Sequence, residues 1–448
     1  MLRIYDDLEE ARRTVLRRRD MLVPDDVPQV VQSGIRRVFG RDLSPEEATA
    51  EILADVRRRG DAALSDWTSR LDGVDLEGEE LEVPSPVWEE AAASLPADLV
   101  AALKFAAERI YDFHERQPIP SWETDEMGGT LGQRVTPLAR VGCYVPGGTA
   151  PLPSSLLMSA IPARVAGVSE VIVCTPPGEK GDVPAVTLAA AHLAGVDRVF
   201  RLGGAQAIGA LAYGTASVPR VDKVVGAGGL FTTLAKRQVY GHVGLDGLYG
   251  PTETVIVADD SADPGWVAAD LLAQAEHDVL ATAILLTPSR SLAEAVQEAA
   301  EARMASLGRT AVIAASLRGQ GAIVVTPDLA TAVRLADGFA PEHLCLSVRD
   351  PAVWAERVRN AGGLFLGERS CEVLGDYVVG PSHIMPTGGT ARFASPVNVL
   401  DFVKITNVIA LDAETSAQLS SAAARLASAE SLTAHAAAAA ARGDGDAC

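Results

Sequence analysis

The sequence is poor in the features that a secreted scaffold, a membrane span or a nucleic-acid binder would need. Among 448 residues there are five cysteines, Cys143, Cys174, Cys345, Cys371 and Cys448, odd in number and without a CxxC pair. Neither a disulfide framework nor a thiolate zinc site is expected, and a reducing cytoplasm fits. Basic residues are outnumbered, 39 Lys and Arg against 59 Asp and Glu, for a formal charge of −20. That balance argues against nucleic-acid backbones and anionic membrane surfaces as partners and reads as solubility. No apolar run approaches the roughly 20 residues that span a bilayer. The opening Met1-Leu-Arg-Ile-Tyr-Asp-Asp-Leu8 carries acid where a secretory signal would be apolar, so none is expected. Aromatic residues make up 5%, there are only seven histidines, and the GxGxxG dinucleotide fingerprint is missing.

What is present suits a globular protein of two or three domains, with 48% hydrophobic and 22% charged residues. To about Phe113 the pattern is helical. Arg12 to Arg19 forms a basic patch, Ser44-Pro-Glu-Glu47 is a helix start with Pro at its first position, and Ala97 to Arg109 follows Pro96. From Gly128 short apolar runs alternate with alanine-rich helical stretches: Arg140–Tyr144, Glu170–Thr175, Arg198–Leu202 and Asp222–Val225. After the glycine-rich segment 241–250 come Thr254–Ala258, Ala283–Leu286, Ala322–Val325, His343–Leu346 and Gly363–Leu366. The alternation predicts two α/β units with parallel sheets. After Val403 the chain reads as alanine-rich helix, ending in Gly443–Cys448, which is expected to fray.

Five constellations carry chemistry. Gln274 and His277 are three apart at the end of the helix that Asp263-Pro264 opens, and so share a face. Glu342 and His343 adjoin at a loop–strand junction, where a carboxylate and an imidazole can divide acid and base duties. Asp376, Tyr377 and His383 fall in a polar, glycine-containing segment without secondary-structure period. Glu430 and His435 are five apart, about 140° around a continuous helix, and cannot share a face unless it bends. The turns Pro146-Gly-Gly148 and Leu202-Gly-Gly-Ala-Gln206 end strands and open helices, offering backbone N–H groups to a phosphate. Taken singly, the first two are more economically a polar helix end and a surface turn, and the glycines are tight turns.

Taken in order, these segments resemble the histidinol dehydrogenase family. The resemblance runs from about Leu138 to His435 through Gly142-Cys-Tyr-Val-Pro-Gly-Gly148, Gly203-Gly-Ala-Gln-Ala-Ile208, Asp222-Lys-Val-Val-Gly226, Ala235-Lys-Arg-Gln238, Gly250-Pro-Thr-Glu253, Gln274-Ala-Glu-His277, Pro341-Glu-His343, Gly375-Asp-Tyr377 with His383-Ile-Met-Pro-Thr387, and Glu430 with His435. It implies an α/β fold of two incomplete Rossmann-like domains with helical segments at both ends. Their bounds would be 1–40 for an N-terminal arm, 41–143 with 254–397 for the metal and catalytic domain, 144–253 for the NAD side, and 398–448 for the tail. It implies a cytoplasmic homodimer with shared active sites, one zinc per subunit, and two successive NAD-linked oxidations of the amino alcohol histidinol, through the aldehyde to the carboxylate.

Carried over by position, the metal ligands would be Gln274, His277, Asp376 and His435, the last lent by the partner's tail. His343 would be the general base and Glu342 would activate water. Thr252, His383 and Glu430 would contact substrate alongside the ligands and His343. Tyr144, Gln206 and position 229 would contact NAD. Gly229 stands where the family carries asparagine, Tyr249 where a small residue is usual, and Ser395-Pro-Val-Asn-Val-Leu400 differs from the family pattern. Two alternatives stay open: a relative oxidising another small amino alcohol or polyol, and a metal-binding member with impaired NAD use. Four of seven histidines fall on the expected site, leaving His114, His192 and His242 as those that should tolerate replacement.

Overall fold

The computed structural model describes residues 2–18, 27–147 and 151–443. The readings placed on Arg19, Gly148 and the last five residues lie outside them. The chain forms two compact units, Met1–Arg116 with Leu138–Phe402, and Gln117–Pro137 with Val403–Cys448.

The first unit holds two six-stranded sheets. One runs Arg3–Tyr5, Gly321–Val325, Thr282–Thr287, Glu253–Ala258, His343–Ser347, Gly363–Leu366, with every pair parallel. The other runs Glu82–Val83, Arg198–Arg201, Glu170–Thr175, Arg140–Tyr144, Lys223–Val225, Gly244–Leu245, parallel except at its first strand. In each, five parallel strands counted in chain order lie 3-2-1-4-5, the doubly wound arrangement with a switch point between strands 1 and 4. The expected pair of Rossmann-like α/β units is therefore present.

Sheet membership differs from the expected grouping in one respect. Glu82–Val83 and Arg140–Tyr144, grouped with 254–397 by the bounds the resemblance implies, hydrogen-bond instead into the sheet of 170–245. The N-terminal arm is not wholly helical either, because Arg3–Tyr5 adds an edge strand to the other sheet.

The central strands are apolar on both faces because helices cover both. Along Glu253–Ala258, Val255 and Val257 pack into a cluster with Ala332, Val333 and Phe339, while Ile256 and Ala258 pack on the opposite face with Val267, Leu271 and Leu272. Helix starts follow the sequence signals. Ser44 and Glu47 form a capping box before Pro45–Arg59, and the Asp263 side chain accepts from the amides of Gly265 and Trp266 at the head of Pro264–His277.

The second unit is a three-stranded antiparallel sheet, Val403–Ala410, Thr130–Pro137, Trp122–Thr124, followed by helices Ala413–Ala429 and Thr433–Ala440. The helix expected directly after Val403 is thus preceded by an eight-residue strand. Val403-Lys-Ile-Thr-Asn-Val-Ile-Ala410 is rich in β-branched residues, and pairing with 130–137 satisfies its backbone. The tail helix breaks where Ser431 adopts φ +62°, so Glu430 and His435 stand on different helical segments, both exposed. Among the described residues, no helix is long and apolar enough to cross a membrane.

Candidate active site

The amino ends of the first sheet gather the polar residues. Thr252 and Glu253 enter the strand Glu253–Ala258, and Glu342 and His343 enter its neighbour, where Thr254 pairs with His343. Helix Pro264–His277 brings Gln274 and His277 to the same edge, because the next strand must start beside Thr252, whose carbonyl accepts from Thr282 N at 2.9 Å. A short helix, Glu372–Tyr377, packs on helix Pro264–His277 and carries Asp376. That segment was expected as a loop; its one and a half turns are too short for a sequence period to register.

The side chains form a connected network. Thr252 Oγ1 donates to Glu342 Oε2 at 2.6 Å and accepts from Gln274 Nε2 at 3.2 Å. Glu342 Oε2 also accepts the Glu253 amide at 3.0 Å, while His343 Nδ1 lies 3.2 Å from the Glu253 carbonyl and 3.7 Å from Glu342 Oε2. On its other side His343 Nε2 is 3.5 Å from Asp376 Oδ1, and Asp376 Oδ2 is 4.0 Å from His277 Nε2. His383 Nδ1 lies 2.7 Å from the Asp376 carbonyl, and its Nε2 is 3.1 Å from Ser155 Oγ. Glu342 and His343 are buried, whereas the His277 side chain remains 49% exposed.

These surroundings set the protonation states. Burial pushes the Glu342 carboxyl up to about 7, against the pull of His343 and the Thr252 hydroxyl. For His343 burial acts downward, but Glu372, Glu342 and Asp376 outweigh it and raise the imidazole to about 10. Asp376 stays below the usual carboxylate range: burial acts to raise it, but the hydrogen bond and charge of His343 prevail. Burial lowers His383. The cluster thus pairs a carboxyl poised near neutrality with an imidazole held between acids.

Glu372 escaped the sequence reading. It is 1% exposed, hydrogen-bonds Thr254 Oγ1, and brings a carboxylate oxygen into a set with His277 and Asp376 whose donor atoms all lie within 4.8 Å of one another. Its spacing of four from Asp376 was the available signal. Arg18, Glu253 and Ser155 were also missed, and sequence spacing gives no warning of contacts so remote in the chain.

The expected cofactor residues occupy the carboxyl ends of the second sheet, Tyr144 and Gly229 beside its switch point and Gln206 after the strand Arg198–Arg201. The Tyr144 hydroxyl accepts from Gly204 N at 3.1 Å, and Gln206 Nε2 donates to Asp72 Oδ2 at 3.3 Å. The strand Lys223–Val225 ends at Gly226, whose φ of +114° and whose approach to the Tyr144 carbonyl leave no room for a Cβ, which would sit 2.2 Å from that oxygen. Lys236 Nζ donates to the Gly226 carbonyl at 2.8 Å and to Asp246 Oδ1 at 2.6 Å, and Asp246 Oδ2 accepts the Gly226 amide at 2.7 Å. Gly229 precedes helix Leu230–Val239, which has no side-chain cap.

The first unit therefore brings together Glu342, His343, Gln274, His277, Asp376, Thr252 and His383 at one sheet edge, and Tyr144, Gln206 and Gly229 at an edge of the other sheet. Glu430 and His435 belong to the second unit. His192 and His242 are exposed, but His114 is not the dispensable histidine that the sequence suggested. It is 0% exposed, with Nδ1 2.8 Å from the Ile110 carbonyl.

Residues 40–443 match the family model described as histidinol dehydrogenase. A histidinol dehydrogenase of Deinococcus radiodurans is 52% identical over 412 residues, 92% of this chain and 93% of that protein. One of Dehalococcoides mccartyi is 49% identical over 395 residues, 88% of this chain and 90% of that protein. The crystal structure of histidinol dehydrogenase from Elizabethkingia anophelis superposes with a TM-score of 0.88 at 30% identity, covering 98% of both chains.

Proposed function

The chain belongs to the histidinol dehydrogenase family, and on that premise we propose that it oxidises L-histidinol through the aldehyde to L-histidine with two NAD+. The observation that carries this reading is the convergence of Glu342, His343, His277 and Asp376 on one sheet edge.

The donor set fits zinc. An imidazole nitrogen with amide and carboxylate oxygens is a ligand set of the type zinc accepts, and donor atoms of His277, Glu372 and Asp376 lie within 4.8 Å of one another. Gln274, His277 and Asp376 would hold the ion from one subunit. His435 completes the set from the tail of the partner subunit in a homodimer, and Glu430 of that tail reaches substrate. The exposure of both side chains and the break at Ser431 support this assignment. When bound, zinc supplies positive charge that orients the amino alcohol through its nitrogen and oxygen donors. The second sheet fits NAD at Tyr144, Gln206 and the turn ending at Gly229, and Gln206 Oε1 is buried without a protein partner among the described residues. When bound, NAD would accept the hydride released in each of the two oxidations.

The chain's own groups move the protons. His343 Nε2 faces the Asp376 carboxylate, where the substrate hydroxyl would lie, and takes its proton as the hydride leaves the carbon. Neutralisation of the acids around it is what frees the imidazole to act as a base. At the aldehyde stage Glu342, near neutral pKa and fixed by Thr252 and the Glu253 amide, removes a proton from the attacking water. The second hydride then leaves the hydrate and the carboxylate forms. Thr252 and His383 would contact substrate, with His383 oriented by the Asp376 carbonyl. The free Cys143, Cys174, Cys345 and Cys371 support a reducing, cytoplasmic setting.

The test is NADH formation from L-histidinol and a panel of small amino alcohols and polyols, with and without zinc. Two NADH per histidinol, lost on chelation and restored by zinc, is the expected result. Turnover of another alcohol in its place overturns the substrate, and no NADH from any alcohol overturns the dehydrogenase reading.

A further inference from the structure

We propose that Arg18 and Glu253 are positioning residues that clamp the turn at Ala340 and thereby aim Glu342 and His343. The inference rests on the reading of those two as the proton-transfer pair. Helix Leu329–Phe339 ends three residues before Glu342, and its last carbonyls have no partner within the helix. Two arginines from distant parts of the chain take them. Arg392 donates to the Gly338 carbonyl, and Arg18 donates through Nε to Phe339 O at 2.8 Å and through Nη2 to Ala340 O at 2.8 Å. The guanidinium lies over the Phe339 ring, its carbon 3.6 Å from the centroid, where the negative end of the helix dipole favours a cation.

Ala340 is strained. It has φ +53°, one of two non-glycine residues with positive φ among those described, where a Cβ costs about 1 kcal/mol. Its conformation reverses the chain so that Pro341 and Glu342 enter the sheet edge, where their carbonyls accept from Gly362 N at 3.0 Å and Gly363 N at 2.7 Å.

The same arginine pairs with Glu253, whose side chain is 7% exposed and also accepts from Gly388 N at 3.1 Å. The Glu253 backbone is the surface on which the catalytic pair rests: its amide holds Glu342 and its carbonyl faces His343 Nδ1. One planar fork thus ties the turn before the pair to the strand beneath it. Lysine cannot reproduce this, because a single ammonium cannot span two carbonyls and a carboxylate in the same geometry.

The experiment compares Arg18→Met, Arg18→Lys and Arg18→Met with Ala340→Gly in the zinc-loaded enzyme, reading steady-state kinetics, zinc content and amide hydrogen exchange. Arg18→Met lowers kcat about 10- to 100-fold, leaves zinc content and the KM for NAD unchanged, and speeds exchange across 338–345 but not across 253–258. Arg18→Lys falls between. Ala340→Gly, which adopts the turn without strain, restores part of kcat in the Arg18→Met background. Unchanged kcat, or a fall in kcat without faster exchange at 338–345, overturns the proposal. Wild-type enzyme that makes no NADH from histidinol overturns the underlying reading instead, and the exchange measurement still decides whether Arg18 holds the turn.

Discussion

His343 Nε2 lies 3.5 Å from Asp376 Oδ1, so the proposed base and the proposed zinc ligand stand in contact at one sheet edge. Replacement of His343 by Ala leaves Gln274, His277 and Asp376 in place, so zinc content should hold while turnover falls about 10²- to 10⁴-fold, the usual range for a lost general base. Zinc analysis beside NADH formation checks it. Glu342→Gln should slow oxidation of the aldehyde more than that of the alcohol, which single-turnover measurements on each substrate separate; equal slowing contradicts a water-activating role.

Gly229 has φ −70° and no atom within 4 Å of where a Cβ would stand. Asparagine therefore fits without strain, caps helix Leu230–Val239 and returns an amide to the switch point. Gly229→Asn should lower the KM for NAD about tenfold, the worth of one good hydrogen bond of about 1.4 kcal/mol, with kcat little changed. A titration of NAD in steady state reads it.

Lys236 and Asp246 are 1% and 0% exposed and hold both polar groups of Gly226 between them. Lys236→Met strands a buried carboxylate and should cost about 3–5 kcal/mol. Adding Asp246→Asn should recover part of that loss, and denaturant titration of the three variants measures the coupling.

Burial pushes the carboxyls of Asp270 and Asp72 up to about 6. A carboxyl raised in this way binds a proton in the folded chain that the unfolded chain releases. Its contribution is complete below the ordinary carboxylate range and is lost as pH rises through about 6. Glu342 and Glu372, both raised to about 7, act in the same direction. Thermal stability of the zinc-free protein should therefore fall between pH 4.5 and 7.5, and Asp270→Asn should flatten the fall and gain about 1 kcal/mol at the upper end. Melting curves across that range check the sign.

His114→Ala should cost about 2–4 kcal/mol, since it opens a cavity in a site closed to solvent and removes the side-chain hydrogen bond to the Ile110 carbonyl. His192→Ala and His242→Ala, both at exposed positions, should lie within about 0.5 kcal/mol of the parent. Denaturant midpoints of the three variants separate the buried histidine from the exposed two.

Much of the fold was legible because it is written locally. Buried strands such as Thr254–Ala258 are short apolar runs, and Ser44 and Asp263 announce their helices by caps that need only three neighbouring residues. The exceptions have local signals that lose to pairing. Val403–Ala410 looked like the start of a helical tail, yet 130–137 offered it a complete ladder. Arg140–Tyr144 joins the strands with which the sequence alternation groups it, not the 254–397 segment to which the bounds implied by the resemblance assign it.

The sequence by itself determined the residue chemistry available to this protein, seven histidines and the motifs that hold four of them, and the presence of two α/β units, since motif order and periodicity are one-dimensional properties. Tertiary structure decided which of those groups meet. Only folding places Arg18 against Glu253 and Ala340, lifts Glu342 toward neutrality, and brings Glu372 beside Asp376 and His343, because contact across hundreds of residues and the loss of solvent around a charge are properties of the packed chain.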